Sequence, residues 1–95
     1  MQYLLLIHNN VTSNTAEAEW TEFIARAKES GTFRGGSELG ARELIGSSTQ
    51  VSSSAHIEGF MRFESDDKQK ILDLLKTHPV VVHGGTVELC EMPES

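Results

Sequence analysis

Ninety-five residues, 38% apolar and 23% charged, describe one small soluble domain spanning 1–95, near the lower limit for a single hydrophobic core. A formal charge of −6, with basic residues scattered rather than clustered, excludes a phosphate backbone as partner, so no nucleic acid is expected. The single Cys90 cannot form an internal disulfide, which suits a reducing cytoplasm. No Cys or His pair has metal-ligand spacing, and neither Gly35-Gly36 nor Gly84-Gly85 matches a phosphate loop, so no metal or other cofactor is expected.

Tyr3 to Ile7 is apolar but too short to span a membrane and lacks a basic leader, so residues 3–8 are predicted as a strand and no membrane association is expected. Asn14 with Glu17 has capping-box spacing. Trp20, Phe23, Ile24 and Ala27 then recur as one stripe of an amphipathic helix, with Lys28 in the last turn and Gly31 placed to end it. Thr32 to Leu39 reads as a second strand, bulged or closely approached at Gly35-Gly36, and Ala41 to Ile45 as its continuation. The serine-rich stretch Gly46 to Ser54 reads as a loop or hairpin tip. His56 to Glu64 alternates, with Ile57, Gly59, Met61 and Phe63 on one face and His56, Glu58, Phe60, Arg62 and Glu64 on the other. Asp66, with Gln69 three positions on, caps a second helix whose stripe is Ile71, Leu72, Leu74 and Leu75; Pro79 is expected to stop it. Gly84-Gly85 turns into a last strand, Thr86 to Met92.

Strand-helix-strand-strand-helix-strand is most economically packed as an α+β, ferredoxin-like split βαβ fold, an antiparallel sheet with both helices on one face. The first strand is apolar without alternation, so two or three large side chains must face away from the helices, joined by Phe60. Leaving each in water forgoes about 1.5–3 kcal/mol, which favours a homodimer through the open sheet faces, with a ligand cleft between subunits. A monomer that tolerates a small apolar patch is the alternative.

Several segments then resemble YCII-related proteins, in particular the branch named for a DGPF tetrapeptide. They are Met1 to Ile7, Glu29 to Leu39, Glu58-Gly59-Phe60, and His78-Pro79 followed by Gly84 to Leu89. The resemblance implies a dimeric α+β barrel with a small-molecule pocket. The tetrapeptide itself is absent, its place being taken by the segment around Gly46 to Ser54. The family's dyad, a His on the first helix and an Asp before the Pro, falls on Trp20 and His78, so its chemistry does not carry over.

His78 is the first catalytic candidate, as a base or anion-binding group at a helix C-terminus; the alternative is a solvent-facing helix stop. Trp20 is either a pocket wall or core. His56 and Glu58 form a candidate acid-base couple, with Arg62 to recognise a carboxylate and Phe60 beside them; inter-subunit ion pairing is the competing reading. His8, closing the first strand, and Arg34, inside the Glu29 to Leu39 resemblance, complete the ligand-binding candidates, while His83 reads as a loop residue. Three functions stay open. One is acid-base chemistry of lyase, isomerase or hydrolase type on a small, perhaps carboxylated, molecule. The second is a non-catalytic binding or regulatory module, which the resemblance permits because DGPF-type members tend to be encoded near alternative sigma factors. The third is a dimer with a decayed site.

Overall fold

The chain runs β1 (Gln2–His8), α1 (Glu17–Glu29), β2 (Phe33–Glu38), β3 (Ile57–Glu64), α2 (Lys68–Leu75), α3 (Pro79–Val82) and β4 (Val87–Met92). This computed structural model describes residues 1–47 and 52–94, so the middle of the expected serine-rich loop lies outside the described residues. The sheet order is β2-β3-β1-β4, with every neighbouring pair antiparallel. That is the ferredoxin-like arrangement the element order predicts.

β1 buries Tyr3, Leu5 and Ile7 toward the helices, and β3 buries Ile57, Gly59, Met61 and Phe63 on the same side. α1 contributes Phe23 and Ala27 to this core, α2 contributes Ile71 and Leu75, and α3 contributes Val80. The α1 stripe is as expected, with Trp20 and Ile24 packed half-buried against the core. In α2, Leu72 is 37% exposed and falls outside the buried stripe.

Both helix starts differ from the sequence reading. α1 is capped at Ala16, whose N–H donates to the Glu19 carboxylate at 2.8 Å, so the acidic half of a capping box operates two residues beyond Asn14. At α2 the cap is Asp67, not Asp66, and its carboxylate accepts from the Gln69 N–H at 3.1 Å. Gly31 closes α1 at φ +76°, as its position predicts.

β2 is bulged. Phe33 pairs with Phe63 but Gly36 pairs with Met61, three steps on one strand against two on the other, and Gly35 takes up the kink at φ +102°. A Cβ on Gly36 would lie 2.4 Å from the Phe60 carbonyl oxygen, so only glycine fits. Residues 41–45 do not continue the strand; the Arg42 guanidinium instead reaches the carbonyls of Ser54 and Ile57.

His78-Pro79 begins a helix rather than only ending one. α2 stops at Leu75, and Pro79 is the first residue of α3, where its missing N–H costs nothing. His78 is the N-cap, and its Nδ1 accepts from the Val80 N–H at 3.1 Å.

Candidate functional site

The larger hollow lies on the helix side of the sheet, between α1 and the β2–β3 edge, not in the open face where the cleft was expected. It measures about 730 Å³. Two glycines are part of its lining. Gly59 stands in the buried row of β3, where Ile57, Met61 and Phe63 carry large side chains, and Gly36 lies beside it on β2. Together they leave a floor of bare backbone under α1. Trp20 and Ile24 of α1 form the wall above, Phe33, Met61 and Ile7 add apolar surface, and Thr15 and Glu17 stand at the start of the helix. Glu38 and Glu58 border the groove as well. Among the described residues that line it, three are carboxylates and none is Lys, Arg or His. The lining therefore disfavours the carboxylated ligand expected from sequence.

Behind Trp20 sits His78, with its ring 4.9 Å from the indole at an interplanar angle of 86° and 4.7 Å from Phe23 at 64°. The two positions that the resemblance aligns with the family dyad therefore do meet. His78 is fully buried, contrary to a solvent-facing helix stop. Burial pushes its pKa down to about 4, overriding the helix-end argument for a protonated ring. Because Nδ1 accepts the Val80 amide proton, the proton of the neutral ring is on Nε2, and among the described residues that atom has no hydrogen-bond partner. Trp20 Nε1 donates to Thr15 Oγ1 at 3.0 Å, which fixes the indole against the groove.

Among the described residues none of the remaining candidates except Trp20 is in ring or hydrogen-bond contact with His78. β3 begins at Ile57, so His56 belongs to the preceding turn and is exposed. Its ring neighbour is His8 at 5.5 Å, whose Nε2 lies 2.9 Å from Glu88 Oε1. Among the described residues no hydrogen bond joins His56 to Glu58. Arg62 is exposed beside Leu4, and Arg34 donates to the carbonyls of Gly31 and Phe33 at 3.0 and 3.1 Å. Leu4 and Leu6 of β1 and Cys90 of β4 are half-buried on this open face, and Leu6 pairs with Phe60 across β1 and β3. The apolar face expected from β1 is therefore present. Trp20, Phe60 and Glu58 border the groove; His8, His56, Arg34 and Arg62 do not.

His83, expected as a loop residue, caps the end of α3. Its ring nitrogens bond Ser13 and Glu19, residues 70 and 64 positions away, and nothing in local spacing signals that meeting. Among the described residues no cluster of His, Cys, Asp or Glu could hold a metal ion, and no helix is long and apolar enough to cross a membrane.

No family model matches the chain, and no curated protein matches it. Among solved structures it is similar to the 5-chloro-2-hydroxyhydroquinone dehydrochlorinase TftG of Burkholderia phenoliruptrix AC1100, in a complex with 2,5-dihydroxybenzoquinone. The TM-score is 0.58 at 8% identity, over 100% of this chain and 96% of that one. At this identity what the two chains share is the α+β, ferredoxin-like fold.

Proposed function

We propose that the chain is a homodimeric, YCII-related protein that binds a small, flat, ring-bearing molecule in the groove beneath α1. One observation carries the reading: the Trp20 indole and the side-chain-free backbone of Gly36 and Gly59 line the same hollow, a lining that can take a planar ring. The border of Glu17, Glu38 and Glu58 selects against anionic ligands and favours hydroxyl or amino donors on that ring. The quinone held by the structural neighbour is a molecule of this shape. A second copy of the chain covers Leu4, Leu6 and Phe60; each is already half-buried, so covering the remainder gains only part of the about 1.5–3 kcal/mol of full burial.

In this reading Trp20 is the ligand's wall and His78 is its neutral support. An acid-base alternative draws on the unpaired, buried Nε2 of His78, a donor that a ligand oxygen meets only if Trp20 moves aside.

The test is a titration with hydroquinone, a planar ring that carries two hydroxyl donors and no charge at neutral pH, followed by amide NMR and supported by fluorescence of the single tryptophan. Saturable shifts centred on the Gly36 and Gly59 amides, lost in Gly59→Val, are the expected result. A Cβ at Gly59 already lies 3.0 Å from the Ser37 carbonyl oxygen and 3.7 Å from Ile7 Cδ1, so valine branches fill part of the hollow. Shifts that are linear in concentration, or that centre on the open face, overturn the groove as the site.

A further inference from the structure

Ser13 lies in the connection after β1, Glu19 in the first turn of α1, and His83 at the end of α3, yet their side chains form one chain of hydrogen bonds. His83 Nδ1 is 2.8 Å from Ser13 Oγ, and Nε2 is 2.7 and 2.9 Å from the two Glu19 oxygens. The imidazole is fastened from behind. The His83 N–H donates to the Pro79 carbonyl at 3.0 Å, and the His83 carbonyl accepts from the Thr12 N–H at 2.9 Å and from Thr12 Oγ1 at 3.1 Å. Glu19 is held in turn by the Ala16 N–H at 2.8 Å.

The protons can be assigned. The bond to His83, and then the Ala16 amide, hold the Glu19 carboxyl below its ordinary range, so it is ionised at neutral pH and can only accept. Nε2 must then carry a proton. With the ring neutral, Nδ1 is the bare nitrogen, and the Ser13 hydroxyl donates to it. An exposed serine bonded to a base, which is itself oriented by a carboxylate, is the arrangement that activates a hydroxyl nucleophile. The nitrogen roles are the reverse of those in the chymotrypsin triad, but the proton path is the same.

We propose that Ser13 is an activated nucleophile that accepts acyl groups from small esters, with His83 as its base and Glu19 as a positioning residue. Ser13 Oγ forms a bond to the carbonyl carbon while its proton passes to Nδ1; the bond to the leaving oxygen breaks, and Nδ1 gives its proton to that oxygen or, where the group leaves as a phenolate, to water. Water attacking the acyl-serine by the same path restores the hydroxyl and releases the acid. Because Ser13 is exposed on a loop, the substrate class is small acyl groups on good leaving groups. This site does not depend on the groove.

The experiment uses the whole protein and p-nitrophenyl acetate at neutral pH, with release of p-nitrophenolate followed by absorbance and the acetylated residue mapped by tandem mass spectrometry. One acetyl group on Ser13 is expected, and Ser13→Ala should abolish it. Glu19→Gln keeps an acceptor for the Ala16 amide and should slow acetylation at least about tenfold, a part of the about 10²–10⁴-fold that general-base assistance supplies. Nitrogen NMR of His83 is a readout that a structural role alone does not move: Nδ1 should be unprotonated in the wild type and a tautomer mixture in Glu19→Gln. Acetyl groups spread over lysines and other serines at comparable rates, or a Ser13→Ala protein reacting like wild type, overturn the proposal. The wild-type map decides this even if a variant fails to fold.

Discussion

His78 makes the stability of this protein depend on pH in a way that can be worked out. The unfolded chain takes up a proton on this ring near pH 6.5, the folded protein only near pH 4. Between those values the unfolded state holds one more proton, so stability is full above about 6.5 and drains away as pH falls toward 4. The whole window is worth about 3 kcal/mol, and the step from pH 7 to pH 5 about 2 kcal/mol. The comparison protein is His78→Asn, which keeps an acceptor for the Val80 amide at the α3 cap but cannot titrate. Asparagine is smaller and leaves a cavity beneath Trp20 and Phe23, but that cost is the same at both pH values. Urea unfolding at pH 7 and pH 5 measures the difference. With a slope of about 1 kcal/mol/M, the wild-type midpoint should fall about 1–2 M further than the variant's. Glu19 and Asp73, both held below the usual carboxylate range, weaken the two proteins alike at lower pH and cancel. Equal losses in wild type and His78→Asn would refute the claim that this ring is kept neutral by burial.

Leu6→Lys sets a charge in the middle of the open face, opposite Phe60, and should convert a dimer to a monomer in light scattering without loss of helical circular dichroism. A wild type that scatters as 10.5 kDa at working concentration removes the dimer from the proposal. Phe23→Ala empties a fully buried position against His78 and should cost about 3–5 kcal/mol in denaturant unfolding. Asp67→Ala removes one cap bond and should cost about 1 kcal/mol in the same assay; a cost above 2 would mean that the side chain does more than cap α2.

The fold was largely legible because its signals are local. Alternation in β3, the Trp20-Phe23-Ile24-Ala27 stripe and the glycine pair in β2 each act within a few residues, and each appears in the structure near its predicted place. The helix starts slipped by one or two positions because several side chains near each start can cap, and the neighbouring chain chooses among them. His78-Pro79 was read as a stop because the restriction on the residue before proline is local. Its role as the start of α3 appears only once Val80 is buried in the core. The site was less legible. A glycine inside a strand says that something is missing, not what stands opposite, and the groove needs α1 to pass over Gly59. Sequence places the histidines only locally, His8 at a strand end, His78 at a helix end and His83 in a loop, whereas their chemistry is set by distant partners: Glu88 for His8, Trp20 and Phe23 for His78, Ser13 and Glu19 for His83.

Periodicity, turn residues and the apolar first strand determined on their own the order of the strands and of α1 and α2, the side of the sheet that the helices cover, and the greasy surface left on the other. Those properties are written in spacings of two to four residues, which backbone geometry reads directly. Tertiary packing alone decided where a hollow opens and which nitrogen of each imidazole carries a proton. Both depend on groups far apart in the chain arriving at one place, and no local rule encodes that arrival.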